Sequence, residues 1–288
     1  MSDTARNDFP HLPAAAARLG HVLARPKALA ALSVIVLTIL GWLYLALMLA
    51  RSGTTITELG ADTLQALCRP LANGSWSIPG IALVGSMWVA MTLIMMMPSA
   101  APMILTYAEI AETAARKGRQ IVSPFALVAG YSGVWLIFSV VAAMIQIVFT
   151  QVALLDANAA LVSGLFSGAI FIGAGAYQFS ALKHACLNRC QHPFPFFFTN
   201  WTTTRSGVFR LGIRQGLYCL GCCWAMMSVI FAVGVMNVIW MAGLGIVMTI
   251  EKLLTGRRFT HAVGVALIAI GIGWVVISFT GHWPVRAV

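Results

Sequence analysis

Sulfur is the chain's main chemical resource. Its 288 residues include fourteen methionines and six cysteines, and most of the cysteines and many of the methionines fall in three short stretches. Met87–Pro98 reads MWVAMTLIMMMP and carries five methionines in eleven residues. Met87, Met91 and Met95 follow an i, i+4, i+8 spacing that shares one helical face, with Met96 beside them. A thioether fills core gaps well. It is also a soft ligand suited to Cu(I). Both uses stay open for this stripe. Pro98 removes a backbone donor and is expected to kink or break the helix.

The second stretch, Gln215–Met227, reads QGLYCLGCCWAMM. Cys219, Cys222 or Cys223, and Met226 recur at i, i+3/i+4 and i+7, again one face. A single cysteine is often a small buried hydrophobe. Three cysteines and two methionines in nine residues point instead to a thiolate–thioether set that favours Cu(I). C-x-x-C is also a zinc or redox spacing, but a helical pair with no nearby histidine is a poor zinc site. The third stretch is HACLNRCQH over 184–192. Cys186 and Cys190 stand at i, i+4, with His184 and His192 on either side.

The elements that carry these stretches are apolar. The chain is 60% hydrophobic and 9% charged, with mean hydropathy +0.88; soluble domains carry about 25% charged residues. The composition predicts an all-α, polytopic transmembrane bundle. The net charge of +10 fits the excess of Lys and Arg on one membrane side, not a nucleic-acid-binding surface. After a polar N-terminal segment, 1–27, the hydropathy predicts one helical domain over 28–282 and a tail over 283–288. Seven spans are expected, at about 28–50, 80–105, 124–149, 159–182, 215–233, 237–250 and 262–280. The first is too long for a signal-peptide core and reads as an uncleaved anchor. The apolar run 215–250 is too long for one crossing and is split near Gly234–Asn237.

Charge counting sets the orientation. With the N-terminus inside, the inner segments hold 15 of the 18 Lys and Arg, leaving Arg51, Arg69 and Arg286 outside. The soft clusters of the second and fifth spans then fall at similar depth. Only Cys68 falls in an outer loop, so reduced thiols or metal ligands are expected rather than disulfides. The glycines within spans, Gly164, Gly168, Gly173, Gly175, Gly243, Gly245, Gly271 and Gly273, read as close helix packing. No Asp, Glu, Lys or Arg lies in a predicted span core. A buried proton relay is therefore not expected, and Glu109, Glu112 and Glu251 read as solvated interface charge, with Glu251 and Lys252 in a short polar loop. Gln146, Gln178 and Asn237 are the polar candidates within spans. The run PFPFFF at 193–198, with Trp201, suits the headgroup layer. No nucleotide loop or hydrolase motif occurs, and no enzyme activity is expected.

Three blocks together resemble a known family: MWVAMTLIMMMPSAAPM at 87–103, YQFSALKHACLNRC at 177–190, and GLYCLGCCWAMMSVIFAVGVMNVIWMAGLGIVMTIEKL at 216–253. This is a bacterial family of unknown function described as predicted metal-binding integral membrane proteins. The resemblance covers about residues 30–255. It implies a multi-pass protein of the bacterial inner membrane with a metal site. Where the family carries further methionines, this chain has Thr92 and Leu93, which thins the stripe.

The expected function is copper handling, delivery or transport in the bilayer. Cu(I) would be bound by Met87, Met91, Met95, Met96, Cys219, Cys222, Cys223 and Met226, and exchanged with Cys186 and Cys190 at the inner face. A copper chaperone or a cuproenzyme would be the partner. The alternatives are a structural or assembly subunit of a membrane complex, with Met and Cys as packing, and a membrane thiol-redox protein.

Overall fold

The computed structural model describes residues 78–118, 121–152, 163–235, 238–254 and 256–280, together with Ile35, Val36, Ile39 and Leu43 as helical residues. The expectations for segment 1–27, for most of the 28–50 span, for residues 51–77 of the 51–79 loop with Cys68, for the turn at Asn237, and for the tail 283–288 lie outside the described residues.

Among the described residues there are eight helices and no strand, as an all-α chain requires. They are α1 (Ile78–Arg116), α2 (Pro124–Gln151), α3 (Gly164–Tyr177), α4 (Ala181–Gln191), α5 (Pro193–Thr199), α6 (Arg205–Val233), α7 (Val238–Leu253) and α8 (Arg257–Phe279). Four of them, α1, α2, α6 and α8, are long and apolar enough to cross a membrane. The pair α3 and α4, bent by 63°, makes a fifth candidate.

Several boundaries differ from the sequence expectation. The break at Pro98 does not occur: α1 runs for 39 residues through both Pro98 and Pro102. A proline removes one backbone bond, whereas ending a helix leaves four carbonyls unpaired. In apolar surroundings the smaller loss wins, and hydroxyls on these turns add bonds to carbonyls other than those of Ile94 and Pro98, which the prolines leave unpaired. Thr106 Oγ1 donates to the Pro102 carbonyl at 2.8 Å, and Ser99 Oγ to that of Met96 at 2.9 Å.

The basic stretch 183–214 is largely helical. It folds into α4, α5 and the first turns of α6. Side-chain caps start two of these helices: Ser180 Oγ accepts from the Lys183 amide at 3.1 Å, and Thr204 Oγ1 from the Gly207 amide at 3.1 Å. The fourth predicted span accordingly ends its first helix at Tyr177 and turns. The expected split of the 215–250 run does occur. Helix α6 ends at Gly234, whose φ of 99° suits glycine, and α7 begins at Val238.

Helix α2 packs against both α1 and α6, α3 against α8, and α4 against α6, while α7 touches α1 and α6. The α3–α8 crossing depends on small residues at Gly168, Gly175 and Gly271, whereas Gly173, Gly243 and Gly273, also expected to pack, face open space. A Cβ at Gly168 would stand 2.8 Å from the Gly271 carbonyl, and one at Gly271 would stand 2.8 Å from that of Gly168. Polar bonds tie α1 to α2. Trp88 Nε1 donates to Gln146 Oε1 at 2.7 Å, and the hydroxyls of Thr92 and Ser139 meet at 2.9 Å. Gln146 therefore has a packing role. In α5, Phe196 and Phe197 are buried while Phe194 and Phe198 are exposed, so only half of the aromatic run faces outward.

Candidate functional site

The bundle brings the second and third sulfur stretches together. Cys219, Cys222 and Cys223 occupy adjacent turns of α6 and are buried. The sulfurs of Cys222 and Cys223 are 3.4 Å apart. Cys222 Sγ also donates to the Cys219 carbonyl at 3.1 Å. Helix α4 lies against this face. Cys190, half-buried on α4, packs against the core that holds Cys222. Cys186 sits over Gly221, where an added Cβ would come within 2.7 Å of its sulfur. The five described cysteines are free thiols.

A cavity of about 20 Å³ opens beside Cys219. A cavity of ten to fifteen Å³ already holds a water, so this one has room for a single small ion or water. Cys219 of α6, Cys190 of α4 and Met103 of α1 line it, together with Tyr131, Ser99 and Lys252. Gln215, also on its wall, has a buried amide nitrogen with no hydrogen-bond partner.

Two polar side chains reach Cys219. Lys252 Nζ donates to its sulfur at 2.9 Å and to Ser99 Oγ at 2.7 Å. Tyr131 OH is 3.1 Å from the same sulfur and donates to the Met96 carbonyl at 3.3 Å. The methionine stretch of α1 and the cysteine stretch of α6 therefore stand level, bridged by Tyr131 and Lys252.

The charges at the end of α7 correct the reading of a polar loop. Helix α7 continues to Leu253, so Glu251 and Lys252 are helical. Glu251 is only 2% exposed and Lys252 8%. Glu251 is not solvated interface charge: its Oε2 accepts from Lys183 Nζ at 2.8 Å, and Lys183 is fully buried. Burial demands such pairing, because an isolated charge away from water is very costly. Gln191 adds two bonds across the same joint, donating to the carbonyls of Glu251 and Leu254, both at 2.7 Å. By contrast, Glu112 pairs with Arg116 at 2.9 Å on the exposed last turns of α1.

The methionine stripe is only partly turned toward the thiols. Met96 is on the α1 face of Ser99, whose hydroxyl is 3.9 Å from its sulfur. Met103 follows at i+7 and reaches the cavity. Met95 faces α7, with its Cγ 3.6 Å from the Cβ position of Gly245. Met91 and Met87 are buried, about 7 and 13 Å further along α1 from Met96 by the helical rise. Met226 is buried one turn beyond Cys222. Sequence reasoning missed Met103, Tyr131 and Lys252. Met103 had a signal, the i, i+7 spacing from Met96. The other two had none, since only the packing of α2 and α7 brings them here.

Among the described residues, no three of His, Cys, Asp and Glu form a ready metal site. That requirement suits zinc. A soft monovalent ion is satisfied by fewer sulfur donors, thioethers among them, and two thiols and one thioether stand on the cavity wall among Ser99, Ala100, Tyr131, Gln215 and Lys252.

The fold and site define a class: an all-helical bundle of apolar helices around a buried, sulfur-lined cavity. Residues 85–274, about two thirds of the chain, match the model of the family PpoB2, described as copper chaperone. The chain belongs to this family. It matches no curated protein and no solved structure.

Proposed function

We propose that this is an integral protein of the bacterial inner membrane that carries Cu(I) as cargo. The observation that carries the reading is the 20 Å³ cavity walled by Cys219, Cys190 and Met103 in a chain of the copper-chaperone family. Soft thiolate and thioether donors favour Cu(I) over the other biological metals. The cavity also lacks the carboxylate ligands that suit magnesium, calcium or manganese.

Cys219 and Cys190 hold the ion, with Met103 as the thioether donor. Cys222 and Cys223 continue the sulfur surface, and Cys186, half-buried on α4 and seated over Gly221, extends the series. Copper moves along it by exchange of one sulfur for the next. No bond is made or broken in a substrate, so the protein is not an enzyme. Its partner is a copper chaperone or a cuproenzyme. The topology that accompanies this reading has seven spans with the N-terminus inside: the 28–50 segment, α1, α2, the bent α3–α4 pair, α6, α7 and α8. It keeps Arg116, Lys117, Arg189, Arg205 and Arg257 on the inner side.

The test is the metal content of detergent-purified protein under anaerobic, reducing conditions. Wild type is expected to hold near-stoichiometric copper, and the variant Cys219→Ser/Cys222→Ser/Cys223→Ser to lose it. Zinc or iron in place of copper would contradict the ligand-softness argument. No metal in wild type, with copper offered in excess, would leave the thiols as packing in a structural subunit.

A further inference from the structure

The cavity contains a fixed positive charge as well as sulfur. We propose that Lys252 makes the site selective by ion charge, admitting a monovalent soft cation and rejecting divalent ones. The proposal rests on the copper reading above and adds to it the residue that sets specificity.

Lys252 lines the cavity and donates to Cys219 Sγ at 2.9 Å and Ser99 Oγ at 2.7 Å. An ammonium has donors and no acceptor, so both contacts point its charge at the donor atoms of the site. The neighbouring carboxylate does not neutralise it. Glu251 is bound to Lys183 at 2.8 Å, and those two charges cancel each other. No described carboxylate forms an ion pair with Lys252. Among the described residues its charge is therefore balanced only by what the cavity itself holds.

Counting charge then discriminates between ions. As ligands to an ion, Cys190 and Cys219 would be thiolates and contribute two negative charges, and Lys252 contributes one positive. A monovalent ion brings the sum to zero. A divalent ion leaves one net positive charge in a buried site, where uncompensated charge is costly. The direct repulsion works in the same direction, because the Coulomb energy between Lys252 and the ion is proportional to the ion's charge. Softness alone does not exclude zinc, for which thiolates are good ligands. The ammonium supplies the missing discrimination.

The experiment compares Cu(I) and Zn(II) dissociation constants, by competition with chelators, for the full-length protein in detergent without oxygen. The variants are Lys252→Met, Lys252→Gln and Lys252→Arg. The neutral variants are expected to tighten Zn(II) relative to Cu(I), lowering the Cu(I)/Zn(II) preference by about ten- to a hundredfold. Lys252→Arg keeps the charge and is expected to keep the wild-type preference within about threefold. Gln retains a donor toward Ser99, so it replaces Met as the neutral test if Met prevents folding. The proposal is overturned if a folded neutral variant still binds Cu(I) with an unchanged preference, or if Arg loses the preference as the neutral variants do. Wild type that binds no copper overturns the copper reading itself, which is a different failure.

Discussion

Tyr131 OH lies 3.1 Å from Cys219 Sγ and also donates to the Met96 carbonyl at 3.3 Å. One phenol thus joins three helices at the level of the cavity: α2 supplies it, and α1 and α6 receive it. Tyr131→Phe removes the hydroxyl without changing the ring. The Met96 carbonyl keeps the bond from Ser99 Oγ, so the loss is that of ordinary hydrogen bonds, about 0.5–1.5 kcal/mol. The expected result is a lower unfolding temperature in detergent with copper stoichiometry retained, since the hydroxyl is not a soft ligand. Loss of copper at unchanged stability would mean that Tyr131 contacts the ion.

Lys183 and Glu251 clamp α4 to α7 at 2.8 Å, both nearly free of solvent contact. Removing one partner from a buried pair strands the other, at about 3–5 kcal/mol. Glu251→Leu and Lys183→Met are each expected to destabilise by that order. The double variant Lys183→Met/Glu251→Leu is expected to recover most of it, because two apolar groups leave no charge behind. A thermal-unfolding double-mutant cycle measures the coupling. Additive losses would show that the two residues act independently.

Met103 lines the cavity, whereas Met87 and Met91 lie further along α1. Leucine is close to methionine in volume and costs under about 1.5 kcal/mol in a core. Met103→Leu is therefore a ligand test rather than a packing test. It is expected to weaken Cu(I) binding by about tenfold or more, while Met87→Leu and Met91→Leu leave it unchanged. Equal losses at all three positions would extend the donor series along the whole stripe.

Gly221 lets α4 approach α6. A Cβ there would meet Cys186 Sγ at 2.7 Å, a separation that real Cβ atoms do not show. Gly221→Val is expected to push α4 outward, raise the alkylation rates of Cys186 and Cys190 several-fold, and destabilise by about 1–3 kcal/mol. Unchanged alkylation with intact folding would mean that the thiol side chain simply rotates away.

Much of this architecture could be read from composition alone. Apolar runs set α2, α6, α7 and α8, because a long helix with few charges has one cheap environment. The glycines at 168 and 271 were legible as packing residues, since only small side chains let backbones meet. The two cysteine stretches were legible as soft-ligand candidates from spacing on a helical face. Sequence reasoning failed where tertiary surroundings override a local rule. Proline ends an isolated helix, yet α1 passes through Pro98 because breaking it in apolar surroundings would orphan more backbone groups. Charge ends an apolar run, yet Glu251 and Lys252 turn inward because partners wait there.

By itself, the sequence determined that the chain is helical and apolar, and that its reactive atoms are sulfur, because periodicity and residue chemistry are local properties. Which sulfurs meet, that Met103 faces the cavity, and that a lysine from α7 points at Cys219, only the tertiary structure decided. Those facts depend on how α1, α4, α6 and α7 cross, and crossing is set by side-chain shape and pairing between residues as far apart as Ser99 and Lys252.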